Sequence, residues 1–188
     1  MPSSVRIVKG ALVCDGAVLT GDITIGSTTV IFPGAKIQCS EGAGPITIGS
    51  DCVVEEGATI VNMNPDEMHI GDGNLFEVGC TVYAKKVGDY NAFQPKCEVG
   101  RETAVPSGCT FGPTVCFDDA ATLESNTSVF RLDGEAVEYR VQKRPRNAET
   151  NRAKVKSYGT ALASQGKKYY LGKYNKLLPP TEEGDLKS

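Results

Sequence analysis

The chain has 188 residues, of which 40% are hydrophobic, and its formal net charge is −3. This length and composition suit one folded domain with an appendage, and they exclude a predominantly disordered chain. The net negative charge argues against nucleic acid as a partner, and no stretch approaches the roughly 20 apolar residues of a membrane span, so we expect neither nucleic-acid binding nor direct membrane insertion.

We expect no secretion signal at the amino terminus, because Met1-Pro2-Ser3-Ser4 is followed by neither a basic nor a long apolar region. The chain contains seven cysteines. Without a secretory route these are expected to be free thiols in a reducing compartment, and we expect the protein to be cytoplasmic.

A large apolar residue recurs every six positions along residues 7–129, which is the pattern of a hexapeptide-repeat solenoid. The twenty anchors are Ile7, Val13, Leu19, Ile25, Ile31, Ile37, Ile48, Val54, Ile60, Ile70, Phe76, Val82, Val87, Phe93, Val99, Val105, Phe111, Phe117, Leu123 and Val129. A strand turned by a corner every six residues explains the period, and three hexads close one triangular coil. The sequence therefore predicts an all-β solenoid, a parallel β-helix of between six and seven coils, and such repeats resemble the left-handed β-helix proteins.

A second position in the hexad, four residues after the anchor, is restricted to small side chains. Its members are Ala11, Ala17, Thr29, Ala35, Cys52, Ala58, Cys80, Cys97, Thr103, Cys109, Ala121 and Thr127. A crowded inward position beside the anchor accounts for this restriction. The cysteines at this position are therefore predicted to pack in the core and not to act as nucleophiles.

Glycine directly follows several anchors, at Gly26, Gly49, Gly71, Gly88, Gly100 and Gly112. This placement predicts either positive φ or a close approach of two backbones at the corners. The period is interrupted in three places: we predict loop insertions within residues 38–45 and 62–69, and a shortened corner between Val82 and Val87.

After Val129 the period ends, and Val137, Tyr139 and Val141 predict a short strand that closes the last coil. From about residue 148 the apolar spacing becomes helical. The predicted divisions are a β-helix with its end cap (1–145), a basic C-terminal α-helical segment (146–180) and an acidic disordered tail (181–188).

Charge is distributed unevenly along the chain. Residues 1–139 carry 8 basic and 19 acidic side chains, whereas residues 140–176 carry 11 basic and 1 acidic. We expect the basic helix to fold back on the acidic solenoid; the alternative is a free basic surface for an acidic partner.

The chemistry that such solenoids carry depends on histidine, and His69 is the one histidine of the chain. Around residues 60–89 the chain resembles the γ-class carbonic anhydrases, but Val61, Val78 and Tyr83 stand where that resemblance implies the three zinc ligands. Valine offers no lone pair, and a single tyrosine does not hold zinc. His69 is predicted to lie in the second loop insertion as an isolated surface residue. We therefore expect no catalytic residue, no cofactor and no metal, and the alternative is a hexapeptide acyltransferase or γ-carbonic-anhydrase-like enzyme that uses His69.

A more specific resemblance covers about residues 7–145. Its most specific part is Phe76-Glu77-Val78-Gly79-Cys80, and further parts lie at residues 41–49, 70–75, 87–91 and 140–145. These runs resemble the dynactin subunit 6 family. The resemblance implies a left-handed β-helix that is a non-enzymatic scaffold subunit of the dynactin pointed-end complex, on the cytoskeleton, with a part in dynein cargo binding and microtubule-based transport. The implied partners are dynactin subunit 5 (a second β-helix subunit), the pointed-end actin-related protein and dynactin subunit 4.

Three aromatic residues, Phe32, Tyr83 and Tyr90, fall at hexad positions predicted to point outward. Aromatic side chains are enriched where partners bury surface. We predict these three as partner-binding residues; the alternative is that they are isolated surface aromatics.

Overall fold

A computed structural model of the chain describes residues 4–119 and 123–131 together with the backbone of 139–143. The predicted basic helical segment (146–180) and acidic tail (181–188) lie outside the described residues. In the described part, the chain forms short strands joined by tight corners.

The strands, in chain order, are β1 (Val5–Ile7), β2 (Leu12–Val13), β3 (Val18–Thr20), β4 (Ile23–Ile25), β5 (Val30–Ile31), β6 (Lys36–Cys39), β7 (Ile46–Ile48), β8 (Val53–Val54), β9 (Thr59–Asn62), β10 (Met68–Ile70), β11 (Leu75–Phe76), β12 (Thr81–Val82), β13 (Lys86–Val87), β14 (Ala92–Phe93), β15 (Glu98–Val99), β16 (Ala104–Val105), β17 (Thr110–Phe111), β18 (Cys116–Phe117), β19 (Thr127–Arg131) and β20 (Tyr139–Lys143).

Every third strand joins the same sheet, so the molecule has three parallel sheets around one axis. Sheet A is β1-β4-β7-β10-β13-β16, sheet B is β2-β5-β8-β11-β14-β17-β19-β20, and sheet C runs from β3 to β18 in the same way. Anchors of successive coils are register partners, as in the pairs Ile7 with Ile25 and Val13 with Ile31. The parallel β-helix predicted from the hexads, which resembles the left-handed β-helix proteins, is confirmed.

The anchors fill the axis of the solenoid. All of them are buried except Leu19, which is half-buried. Phe76, Phe93 and Phe111 are anchors of three successive coils in sheet B, and their rings stack in parallel with centroids 4.8 and 5.3 Å apart. The small second position is also buried from Thr29 to Cys109 and at Thr127, because it lies at the inside of the corners where space is least.

The glycines after the anchors serve close approach. Gly26 does not have positive φ, but a Cβ atom placed on it would lie 2.5 Å from the carbonyl carbon of Gly49 on the next coil. Any side chain there would clash with backbone that cannot move aside. Of the two roles predicted for these glycines, close approach is the one that the structure gives to Gly26.

Both loop insertions lie at the corner between sheets C and A, after β6 and after β9, and the shortened corner follows β12. The loops contact each other, since Gly44 donates its N–H to the carbonyl oxygen of Asn64 at 2.8 Å. The prediction that His69 lies in the second loop is wrong. Met68 and Ile70 are both fully buried, so β10 begins at Met68 and His69 is the outward-facing residue at its centre.

The end of the solenoid is a hairpin in sheet B. β19 pairs with β17 in parallel and with β20 in antiparallel register, with Val129 opposite Val141. The chain therefore leaves the described region at Lys143, on the sheet B side of the last coil. No helix among the described residues is long and apolar enough to cross a membrane.

Candidate functional site

The three outer faces of the solenoid differ in polarity. The outward rows are Arg6, Thr24, Thr47, His69, Lys86 and Ala104 on sheet A; Leu12, Val30, Val53, Leu75, Ala92, Thr110 and Ser128 on sheet B; and Val18, Lys36, Thr59, Thr81, Glu98 and Cys116 on sheet C. The rows on sheets A and C are exposed or half-buried throughout. On sheet B, Val30, Val53, Leu75 and Ala92 are buried.

The three predicted partner-binding aromatics do not form one surface. Phe32 follows β5 at the corner between sheets B and C, Tyr83 follows β12 at the corner between C and A, and Tyr90 precedes β14 at the corner between A and B. Each residue therefore lies on a different edge of the triangle. A single partner surface cannot include all three.

Phe32 points away from the axis but is only 6% exposed. It belongs to a second apolar cluster with Val30, Val53 and Leu75, which is separate from the core. Phe32 is therefore unsuited to contact another protein, because its side chain is already buried. The hexad position predicted that Phe32 points outward but did not predict its burial.

Tyr83 is half-buried and lies beside Val61. Register pairs Thr59 with Thr81 and Ile60 with Val82, so the residues that follow these pairs, Val61 and Tyr83, stand next to each other on adjacent coils. Val78, which is 46% exposed, lies at the other end of β12. Exposed Met63 follows Val61 in the adjacent loop. Val61, Met63 and Tyr83 lie at the corner between sheets C and A and define what we call the sheet C apolar edge.

Tyr90 packs against its own molecule. Its backbone has positive φ (55°), and its N–H donates to the carbonyl oxygen of Asp72 at 2.8 Å. A Cβ atom on Gly73 would meet the Tyr90 ring at Cε1 at 2.5 Å, so the ring lies over that glycine. Tyr90 is half-buried at this corner and offers one face of its ring to solvent at most.

The positions that resemble zinc ligands separate into two places. Val61 and Tyr83 are adjacent, whereas Val78 is at the opposite end of the β12 strand. None of the three supplies an imidazole or a thiolate, so their chemistry does not fit a zinc ion. Within the described ranges no group of three or more His, Cys, Asp or Glu residues is placed to hold a metal.

His69 lies on the outer face of sheet A, with Thr47 on one side and, by the pairing of Ile70 with Val87, Lys86 on the other. It lines an open cleft of about 640 Å³ together with Lys85, Lys86, Glu102 and Ser107. Lys85 is paired with Glu102, with Nζ 2.9 Å from Oε2. The cleft thus offers an imidazole and an ammonium group to a ligand, a combination suited to an anion.

The cysteines at the small position are buried thiols. Cys52, Cys80, Cys97 and Cys109 are at most 1% exposed. Burial raises the pKa of Cys52 to about 12 and also raises the pKa of Cys109. A thiol with a raised pKa has little thiolate at neutral pH, so these groups are poor nucleophiles.

The hexad pattern did not predict that three asparagines, Asn62, Asn74 and Asn91, are buried. Asn74 donates from Nδ2 to the carbonyls of Gly71 and Gly88, both at 2.8 Å, and its Oδ1 accepts the Asn91 N–H at 2.9 Å. Asn91 Oδ1 in turn accepts the Cys109 N–H at 2.6 Å. Both stand four residues after an anchor, and this position was the available signal. The third, Asn62, ties the two loops together.

Dynactin subunit 6 proteins of two organisms are among the relatives that are similar to this chain. Dynactin subunit 6 of Danio rerio is 38% identical over 139 residues, which is 68% of this chain and 70% of the relative. Dynactin subunit 6 of Nematostella vectensis is 37% identical over 152 residues, 75% of this chain and 80% of the relative. No protein-family model matches the chain.

Among solved structures, a hexapeptide transferase family protein from Anaplasma phagocytophilum superposes with a TM-score of 0.67 at 14% identity, covering 86% of this chain and 92% of that one. At this identity the likeness concerns the fold alone. The activity named for that protein does not transfer with it.

Proposed function

Because the chain belongs to the dynactin subunit 6 family, we propose that it is a non-enzymatic scaffold subunit of a dynactin pointed-end complex. The observation that carries this proposal is the identity of 37–38% over at least 68% of the chain. In this role the subunit acts in the cytoplasm on the cytoskeleton. It contributes to dynein cargo binding and to microtubule-based transport.

The partner that we propose for direct pairing is dynactin subunit 5, with the pointed-end actin-related protein and dynactin subunit 4 as neighbours in the complex. A solenoid suits such a position, since its faces present side chains at fixed spacing and its end coils present backbone edges. The exposed faces of sheets A and C support the proposal, because both remain accessible in the folded chain.

We place the pairing contact at the sheet C apolar edge. Met63 is 48% exposed there, and Tyr83 stands beside Val61. Exposed apolar side chains around an aromatic residue are the usual centre of a protein interface. Tyr90, on another edge of the triangle, would serve a different contact of the same subunit. Phe32 is buried and would have to become exposed before it could contact a partner.

Co-expression with dynactin subunit 5 of the same organism tests the pairing, with mass measured by light scattering during size-exclusion chromatography. The proposal predicts a stable complex that contains both subunits. A homotrimer that excludes dynactin subunit 5 would contradict it. Tyr83→Ser tests whether the sheet C apolar edge makes this contact. Lys36→Ser, on the exposed row of sheet C away from this edge, is its control.

A hexapeptide acyltransferase is the second candidate, because His69 and Lys86 line the cleft on sheet A. Such an enzyme needs a general base within reach of its acceptor, and an imidazole can supply it. Acyl-CoA-dependent transfer that is lost in His69→Ala and kept in Thr47→Ala would replace the scaffold proposal. Absence of transfer by the purified complex is the outcome that the scaffold proposal predicts.

A further inference from the structure

The outward row of sheet A changes character at its last described strands. His69 and Lys86 stand on adjacent strands, about 4.8 Å apart at the backbone, and Lys86 is the register partner of Ala104 on the following coil. Ala104 carries only a methyl group, so it leaves room above the sheet beside two long polar side chains. The open cleft of about 640 Å³ lies here, and its volume is within the range of small-ligand sites.

The cleft has a hydroxyl-bearing wall at the corner between sheets A and B. Ser107 and Ser125 line it, each two residues after an anchor of successive coils, and Pro106 lies beside them. Ser107 Oγ accepts the Asp89 N–H at 2.9 Å, which leaves the Ser107 hydroxyl hydrogen to donate to a ligand. The Asp89 carboxylate is directed away from this wall, because its Oδ1 accepts the N–H of Asp72 on the preceding coil at 2.9 Å. The wall therefore presents hydroxyl donors to the cleft.

Positive charge is concentrated at this cleft although the solenoid is acidic. Residues 1–139 carry 8 basic and 19 acidic side chains, and three of the basic ones, Lys85, Lys86 and Arg101, lie in or beside the cleft. Glu102 is the one carboxylate among the described lining residues, and its oxygens lie 2.9 Å from Lys85 Nζ and 3.6 Å from Arg101 Nε. Three cations against one carboxylate leave a local excess of positive charge, which attracts anions.

Lys86 and His69 are the groups with unused bonding capacity. Among the described residues neither side chain has a hydrogen-bond or ion-pair partner, whereas Lys85 is held by Glu102. An ammonium group, an imidazole and the Ser107 hydroxyl thus face the cleft from two sides. A phosphate monoester has three terminal oxygens and a charge of about −1.5 to −2 at pH 7, so it can accept from all three groups. A planar carboxylate has two oxygens and a single charge, and it fits this set of donors less well.

We propose that the sheet A cleft binds a small phosphate monoester. Its phosphate accepts hydrogen bonds from Lys86, His69 and Ser107, and its organic group packs on Ala104 and Pro106. The site makes and breaks no covalent bond. The inference does not depend on the proposed function, because it concerns one chain by itself and needs neither a partner subunit nor a transferred group.

Titration of the intact, full-length protein with phenyl phosphate tests the proposal. His69 is the one histidine of the chain, so its imidazole Cε1–H gives a single NMR signal inside the site. The titration is made at constant pH and constant ionic strength, so that neither protonation nor salt moves the signal. Inorganic phosphate tests the anion alone, and phenol tests the ring alone. A phosphoserine peptide tests a protein segment as the source of the phosphate.

The proposal predicts a saturable shift of the His69 signal by phenyl phosphate, weaker binding of inorganic phosphate, and no shift by phenol. Lys86→Gln should raise the dissociation constant of phenyl phosphate at least about tenfold, since it removes a charge-assisted hydrogen bond. Lys36→Gln, at an exposed lysine of sheet C, is the matched control and should leave the dissociation constant unchanged. Both lysines are exposed, so neither substitution disturbs the core.

Other results would overturn the proposal. The absence of a saturable shift, or an equal loss of binding in Lys86→Gln and Lys36→Gln, would show that the cleft is not a specific site. Inorganic phosphate that binds as tightly as phenyl phosphate would remove the role given to Ala104 and Pro106. A phosphoserine peptide that binds at least about tenfold more tightly than phenyl phosphate would make a protein segment, and not a small ligand, the occupant.

Discussion

Val53 and Leu75 are register partners on adjacent coils of sheet B, and both are 1% exposed while pointing away from the solenoid axis. This pair distinguishes sheet B from the two other faces. The outward rows of sheets A and C, by contrast, are exposed or half-buried throughout.

The phenylalanine stack is expected to contribute strongly to stability. Phe93 lies between Phe76 and Phe111, nearly parallel to both rings. Phe93→Ala should lower the free energy of unfolding by about 3–5 kcal/mol, measured by chemical denaturation. Phe93→Leu, which keeps much of the volume but loses the ring contacts, should cost about 1–2 kcal/mol. Equal losses in the two variants would contradict a contribution from the stack.

Asn62 is expected to hold both loop insertions in place. Its Nδ2 donates to the carbonyls of Asp66 at 2.8 Å and Gly44 at 3.0 Å, and its Oδ1 accepts the Asn64 N–H at 2.9 Å. Asn62→Ala removes the side-chain partner of these partly buried groups and should cost about 1–3 kcal/mol. Hydrogen exchange of residues 40–45 and 63–67 should accelerate. Gln38→Ala on the same sheet is the control, and an equal effect there would argue against the role of Asn62.

Glu55 is expected to make stability depend on pH. Burial, with a smaller effect of the nearby Glu77 and Glu56 carboxylates, raises the pKa of Glu55 even though it accepts the Val78 N–H at 3.0 Å. A raised folded pKa means that protonation favours the folded state: this stabilisation is complete below the unfolded pKa of about 4.3 and is lost as pH rises through the folded pKa.

The variant Glu55→Gln cannot ionise and keeps an acceptor for Val78. It should melt at a higher temperature than the parent protein at pH 7, and the difference should shrink toward pH 4. Glu98→Gln, on the exposed row of sheet C, is the control. A Glu55→Gln protein that is less stable than the parent at pH 7 would mean that the ionised carboxylate is stabilising.

The cysteines should differ in reactivity according to burial. In native protein at pH 8, iodoacetamide should modify exposed Cys116 first, and Cys52, Cys80, Cys97 and Cys109 should remain unmodified. With a pKa of about 12, only about 1 in 10,000 Cys52 thiols is ionised at pH 8. All seven cysteines should react after denaturation. Rapid modification of Cys52 in the native state, measured by peptide mass spectrometry, would show that the corner opens.

Two of the predicted partner-binding aromatics, Tyr83 and Phe32, should behave differently in binding. Tyr83→Ser should weaken binding to dynactin subunit 5 by about tenfold or more without changing the melting temperature, because Tyr83 belongs to the sheet C apolar edge. Phe32→Ser should destabilise the chain by about 3 kcal/mol, since Phe32 is buried. Isothermal titration and thermal melts of both variants separate the two effects. A binding loss in Phe32→Ser with unchanged melting would reverse the assignment.

The hexad period was sufficient to predict the architecture, because each inward anchor repeats at a fixed distance whatever its neighbours are. The small second position could be predicted for the same reason, and Cys52 and Cys80 confirm it. The period also contained a signal that was not used: Leu12, Val30, Val53 and Leu75 each precede an anchor of sheet B and form an apolar outer row.

Other features depend on contacts that a period cannot express. Asn62 acts on two loops whose approach is set by the stacking of coils, and the sequence gives no distance between them. The prediction that His69 lies in a loop is wrong because Met68, His69 and Ile70 alternate between apolar and polar. Two buried residues around a polar one are the pattern of a strand. The burial of Phe32 in a cluster with Val30, Val53 and Leu75 is another contact of this kind.

The central claim, that the chain is a dynactin subunit, is tested most directly by isolating the tagged protein from native cytosol and measuring its stoichiometry by mass spectrometry under non-denaturing conditions. The account predicts that this 20.0 kDa chain is recovered in a much larger particle, in equal amounts with dynactin subunit 5. Recovery as a free monomer or homotrimer, while dynactin subunit 5 stays in a complex without it, would contradict the account.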